Sequence, residues 1–392
     1  MKGKDKSQKR CRWLWVAGLL LLFLWLRQLP LYKPTGAIPF EGPYWYNPYQ
    51  EVHPGGQWLR ANFHAHSNAW GFVTSGRKNT VEDIVCKYDS LGYDIIGISD
   101  YHRITNPFAA GDAAGTPRGR LFVPVYEHGY NVMKTHQGAI GARKVYWNDY
   151  ILPQTWSQKQ HIIRKLKEKS RLVVLHHPAW MGGYSKKDMR SLTGYDLFEV
   201  LNDFWISEEL WDVALSAGRP ALLIAGDDAH NVFKQTDLAR DLTMIFAGMT
   251  DSLLEDPEDL LEGPEGLLKS PEGLLEGPEG LLKSPEGLLK SPEGVYRALE
   301  SGAAYGIEVT ERLAHSSVAQ KREGLDALPL LQSCKICSDS LVVVLSGEAL
   351  QFNFIGQDGR LLKSVLCEAG GSTTVGNSGN SGSGSSSGSE AG

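Results

Sequence analysis

A basic surplus is missing from this chain: 40 Lys and Arg stand against 45 Asp and Glu, for a net charge of −5. Proteins that grip long polyanions carry a basic face, so extended duplex nucleic acid is excluded as a general partner. Any recognition of phosphate must then be local, through a metal or a few arginines. Cysteine is sparse, at 5 of 392 residues. Cys334 and Cys337 make one C-x-x-C, but without a second pair or neighbouring histidines it is poor evidence for zinc. Cys86 falls on a predicted helix face, where a buried thiol is the expected outcome. Long apolar runs are scarce too. Trp13 to Leu26 is free of charge for 14 residues, about 21 Å as a helix, against a hydrocarbon core of about 30 Å. Lys2, Lys4, Lys6, Lys9, Arg10 and Arg12 precede it, and Leu29 to Tyr32 extend it past Arg27. This arrangement predicts a basic cytosolic segment over 1–12, an uncleaved transmembrane signal anchor over 13–32 and the bulk of the chain outside. A cleaved signal peptide is the alternative, with Thr35-Gly36-Ala37 as the nearest small-residue site.

Beyond a Pro- and Tyr-rich linker over 33–56, strands and helices alternate. Trp58 to Phe63, Tyr93 to Ser99, Leu121 to Tyr126, Leu172 to Leu175, Asp196 to Leu201 and Ala221 to Ala225 read as strands, with a shorter one near His136 to Ile140. Helices are predicted from Thr80 to Leu91, Thr155 to Ser170 and Ser207 to Ser216. Such alternation implies an α/β core whose chemistry collects at the C-terminal ends of the strands. A heptad follows, with Pro257, Pro264, Pro271, Pro278, Pro285 and Pro292 in mostly Pro-Glu-Gly-Leu-Leu-Lys-Ser copies. A proline every seven residues rules out a coiled coil, so 257–291 reads as an insertion. A small β-appendage is expected over 328–368 and an unfolded Gly/Ser tail over 369–392.

Histidines and carboxylates gather at the strand ends. His64 and His66 sit two apart after the first strand, so both rings share a face and one cation can reach both. Asp100-Tyr101-His102, Glu127, His136, His176-His177-Pro178 and Asp228-Ala229-His230 follow at later ends. These nitrogen and oxygen donors suit Zn²⁺, Mn²⁺ or Fe²⁺. Their number suits two or three ions bridged by a carboxylate, for which Glu127 is the natural choice. Ions so clustered activate a hydroxide and stabilise both entering and leaving oxygens in phosphoryl hydrolysis. His53, His128, His161 and His315 read as ordinary structural or surface residues. Arg103, Arg143 and Lys144 are the best candidates to contact a phosphate.

In order, His-x-His, Ser-Asp-Tyr-His, a lone Glu, His-Gln-Gly-Ala-Ile-Gly, His-Pro and Gly-Asp-Asp-Ala-His resemble the PHP (polymerase and histidinol phosphatase) superfamily over about residues 57–310. The resemblance implies a distorted seven-stranded β/α barrel holding up to three divalent ions. It also implies metal-dependent phosphoesterase activity on phosphomonoesters, nucleotides or nucleic-acid 5′ ends, including exonucleolytic trimming of short single strands. Carried over, His64, His66, Glu127 and Asp228 would hold one ion, Glu127, His136 and His177 a second, and His102 with His230 a third. Two departures stand out. Tyr101 separates Asp100 from His102, leaving either as ligand or as proton-transfer group. Asn68, Trp70 and Phe72 occupy the region where a further histidine is common. The rival readings are a catalytically inactive metal-containing binding module and a membrane-tethered interaction scaffold.

Overall fold

The computed structural model describes residues 2–26, 29–41, 46–70, 78–106, 120–203, 205–247, 291–337, 340–366 and 373–376. The heptad array up to Lys290 and most of the Gly/Ser tail lie outside these residues. The fold is mixed α/β. Strand β1 (Trp58–Asn62) is central to one five-stranded sheet. It runs parallel to β2 (Ile95–Ile96), which pairs with β3 (Leu121–Phe122), and antiparallel to β9 (Asp241–Phe246), which pairs with β10 (Ala304–Glu308). A second sheet is ordered β4 (Val125–His128), β5 (Gln137–Ile140), β6 (Leu172–Leu175), β7 (Leu197–Asn202) and β8 (Leu222–Gly226). Here β5 is antiparallel to both neighbours, whereas β6, β7 and β8 are parallel. Two isolated parallel bridges join the sheets just past their strand ends, Ala65 to Ala229 and Tyr101 to Glu127.

Local sequence explains the helices. Helix α2 (Val81–Ser90) starts at a capping box in which Thr80 and Asp83 satisfy each other's backbone N–H groups, and it buries Ile84 and Tyr88. Helix α3 (Trp156–Lys167) has the same box between Thr155 and Gln158. It lays Ile162, Ile163 and Leu166 in a cluster with Val173, Leu175 and Phe198. Each fully buried side chain of this size contributes about 1.5–3 kcal/mol. Phe63, Ile95, Ile98, Val125, Val174 and Ile224 belong to the other cluster, between the sheets. The last heptad copy also forms as expected, with Ser291 capping a helix over Pro292–Glu300 that buries Val295 and Leu299.

The expected signal anchor, and with it the membrane-tethered location, is overturned. Among the described residues no helix is long and apolar enough to cross a membrane. Helix α1 (Lys2–Leu26) has 25 residues, but its first half in sequence is rich in Lys and Arg. That leaves an apolar stretch of about 21 Å at 1.5 Å per residue. Tyr32, the last residue of the expected anchor, instead hydrogen-bonds His161 Nδ1 through its hydroxyl at 2.8 Å, with Arg164 over its ring. The following segment lies against the domain, as Ile38 N–H donates to Ala217 O at 3.0 Å. Cys86 is exposed rather than buried. In the appendage, β11 (Leu331–Cys337) pairs with β12 (Ser340–Leu345), and β13 (Gln351–Gly356) with β14 (Arg360–Leu366). Thr373–Gly376, expected within the unfolded tail, pairs as a strand with β12.

Candidate metal centre

Strand direction determines which residues reach the centre. The chain leaves β1, β4, β6 and β8 at one end, carrying His64 and His66, Glu127, His176 and His177, and Asp228 with it. Because β5 runs the other way, it contributes the residue before its start, His136. His177 and Asp228 adopt left-handed backbone at φ 28° and 49°, strain of order 1–3 kcal/mol each that is characteristic of functional sites. Small residues open the space. A Cβ on Gly138 would lie 2.2 Å from His176 Nε2, and one on Gly226 would lie 2.9 Å from His64 Cβ.

All the converging groups are buried except His230, which is partly exposed. Glu127 Oε1 lies 2.8 Å from His136 Nδ1 and 3.2 Å from both His176 Nδ1 and His177 Nε2. Its Oε2 lies 3.3 Å from His66 Nε2, and Asp228 Oδ1 lies 3.1 and 3.2 Å from His66 and His64 Nε2. Despite this closeness, His64 Nε2, both His66 nitrogens, His136 Nδ1, His176 Nε2, His177 Nδ1, Glu127 Oε2 and Asp228 Oδ1 have no aligned hydrogen-bond partner. Buried polar atoms without partners are costly, and here most of them converge on a common space. The donors divide into groups that fit an ion: His64, His66 and Glu127; His64, His177 and Asp228; Glu127, His136 and His177; and His66, Asp228 and His230. Imidazoles and carboxylates in such sets match the preferences of zinc, manganese or iron.

Electrostatics point the same way. Burial opposes a charge on His64, but Asp228, Glu199 and Glu127 outweigh it and hold its pKa well above the usual range. Burial would likewise raise Glu127, yet His136 and His64 hold it well below. Converging carboxylates thus impose a cation on an imidazole among them. A divalent ion satisfies the same field without protonating a ligand. His176 and His230 are pushed down to about 4, first by burial and then by neighbouring imidazoles, which keeps them neutral.

Of the residues expected to form the site, His64, His66, Glu127, His136, His177, Asp228 and His230 come together. Asp100 does not join the ligand groups. Its carboxylate accepts from Ser67 N–H at 2.8 Å, Ser67 Oγ at 2.7 Å and Thr105 Oγ1 at 2.5 Å. His102 is also withdrawn. Its Nε2 accepts from Gly129 N–H at 3.0 Å, so Nδ1 donates to Tyr146 O at 3.2 Å. The inserted Tyr101 turns to the centre instead, stacked on His66 at 4.7 Å and edge-on to His136 at 5.3 Å. Arg103 is exposed. Arg143 and Lys144 follow the far end of β5, about 13 Å from His136 along a four-residue strand, and Arg143 N–H donates to Lys169 O.

Two further members join the centre: His176, the alternative to the His177 that directly precedes Pro178, and Glu199, which the sequence reading did not single out. His176 joins His177 because the left-handed backbone at 177 breaks the alternation that would send adjacent rings to opposite faces. Glu199 lies within β7 and is fully buried. Its Oε1 takes His64 Nδ1–H at 2.7 Å, and its Oε2 takes His177 N–H at 2.8 Å and Asn202 Nδ2 at 3.1 Å. This holds His64 in the tautomer that points Nε2 at the centre. The signal was an acidic residue inside an apolar strand, Leu197-Phe198-Glu199-Val200-Leu201, where an unpaired charge would be prohibitive.

No protein-family model and no curated protein matches the chain. Among solved structures it is similar to a two-domain protein from Bacteroides vulgatus containing a predicted PHP-like metal-dependent phosphoesterase. The identity is 14%, with 86% of this chain and 90% of that chain covered, at a TM-score of 0.40. It is also similar to PsfC from Pseudomonas syringae, at 13% identity, 50% and 84% coverage and a TM-score of 0.36. Likenesses this distant carry no argument, so the PHP resemblance stands on the ordered motifs and the ligand groups they form.

Proposed function

We propose that this chain is a metal-dependent phosphoesterase of the PHP type, acting on small phosphate esters. The observation that carries the reading is the convergence of buried, partnerless imidazole and carboxylate atoms around Glu127 and Asp228. The two bridges between the sheets support the seven-stranded barrel, as they complete a ring of β1, β2, β4, β5, β6, β7 and β8. Bound divalent ions would polarise a phosphoryl oxygen and lower the pKa of water. His64, His66, Glu127 and Asp228 would hold one ion, and Glu127, His136 and His177 another. Glu199 orients His64, and Tyr101 lines the centre between His66 and His136. With Arg143 and Lys144 at the far end of β5 and Arg103 exposed, recognition of the phosphate falls to the metal-ligand groups, whatever alcohol it carries.

The test is hydrolysis of p-nitrophenyl phosphate by protein loaded with Mn²⁺ or Zn²⁺, beside His64→Ala and Asp228→Ala. Loss in both variants supports the reading, and turnover that persists without bound metal refutes it. A silent metal-binding module is the second reading, favoured because Asp100 and His102 are committed to internal hydrogen bonds. Full metal loading with no turnover of any ester would select it.

A further inference from the structure

A continuous apolar ledge leads outward from the metal centre. It begins at Trp180, whose ring meets His177 edge-on at 4.9 Å and His136 at 6.4 Å. Met181 comes next, in left-handed backbone at φ 49° and half exposed. This turn is fastened to the 130–135 loop, since Thr135 Oγ1 donates to Gly183 O at 3.2 Å. That loop carries Tyr130 and Val132, and Val132 N–H donates to Ile151 O at 2.9 Å, drawing Ile151 alongside. Trp147 completes the ledge, with its ring and that of Tyr130 5.5 and 5.3 Å from His102. Tyr130, Val132, Trp147 and Ile151 are between 49% and 65% exposed, and Met181 is 50% exposed.

Exposed apolar side chains normally occur singly. A contiguous group beside a reaction centre marks a binding surface. We propose that the ledge seats an apolar leaving group, so that the substrate is a phosphate monoester of a several-carbon alkyl or aryl alcohol. This rests on the phosphoesterase reading for the bond that is cleaved; the ledge itself is a matter of geometry. Continuity identifies the occupant. Trp180 borders His136 and His177, so the alcohol portion of an ester whose phosphate is held there would, leaving on that side, meet Met181, Val132 and Ile151. A nucleobase would find aromatic faces at Tyr130 and Trp147. Val132, Ile151 and Met181, however, offer no hydrogen-bonding groups to its polar edges, whose desolvation is costly.

The full-length, metal-loaded protein is titrated calorimetrically with methyl-, butyl- and octylphosphonate, and assayed for hydrolysis of the matching alkyl phosphates and of a nucleoside monophosphate. The phosphonates report binding without turnover. Affinity is expected to rise about two- to four-fold per added methylene. The uncharged pair Met181→Gln with Ile151→Asn should flatten that rise from methyl to octyl while leaving metal content unchanged. Affinity independent of chain length, or a nucleoside monophosphate preferred over octyl phosphate, overturns the ledge. Graded phosphonate binding with no ester hydrolysed keeps the ledge and removes the phosphoesterase reading. Hydrolysis indifferent to chain length does the reverse.

Discussion

Two groups of histidines lie near one another past the strand ends and are opposites in chemistry. The inner group, His64, His66, His136, His176 and His177, leaves ring nitrogens unpartnered around Glu127 and Asp228. The outer pair, His102 and His128, has every ring nitrogen engaged: His102 with Gly129 N–H and Tyr146 O, His128 with Gln137 Oε1 at 3.0 Å and Asn148 O at 3.0 Å. Burial is common to both groups. What differs is satisfaction, and it separates a ligand from a brace.

Four measurements break or sharpen that contrast. The largest effect belongs to Glu127→Ala, which removes the carboxylate shared by the inner group. Metal content by plasma mass spectrometry should fall from about two ions per chain to well below one, with phosphatase turnover undetectable. Content held near two would dissolve the distinction. Next is Glu199→Gln, which puts an amide N–H where His177 N–H needs an acceptor. Chelator competition should show metal affinity lowered by about 10–100-fold, as for other supports of ligating histidines.

The third concerns pH. Burial and then the neighbouring His128 push His102 down to about 4, so the folded state keeps it neutral where the unfolded chain, with an ordinary value near 6.5, takes up a proton. A depressed histidine therefore contributes stability that is intact above about pH 6.5 and lost as pH falls towards 4. Denaturant midpoints of metal-free protein across that window should decline by up to about 3 kcal/mol more than those of His102→Gln, and parallel curves would count against the brace. The smallest expected effect is on metal. His102→Gln should leave ion stoichiometry and affinity unchanged while lowering stability by about 1–3 kcal/mol through its orphaned backbone partners.

Much of the inner group was readable because each ligand terminates or immediately follows an apolar run, and parallel strands deliver such ends to one place. Three features were not readable, for three physical reasons. Tyr101 shifts the alternation by one, so the residue facing the centre is the tyrosine and His102 is carried outward. Arg143 and Lys144 look adjacent to His136 in sequence, but an antiparallel strand separates them from it in space. Glu199 is hidden mid-strand, since its role depends on partners 135 and 22 residues away. In the fold, the parallel core was legible from its strand–helix rhythm. The antiparallel β9, paired with β1, and β10 beyond it bracket the heptad array and carry no comparable rhythm.

Sharing Glu127 would couple ions held by two of the candidate ligand groups. One carboxylate stands within 3.4 Å of five imidazoles drawn from both ligand groups. An ion held by one group would change the charge and the proton occupancy that the other group meets, because both draw on that carboxylate. The free energy linking two ions held through this one carboxylate would be reciprocal: whatever the first does to the affinity for the second, the second does to the first.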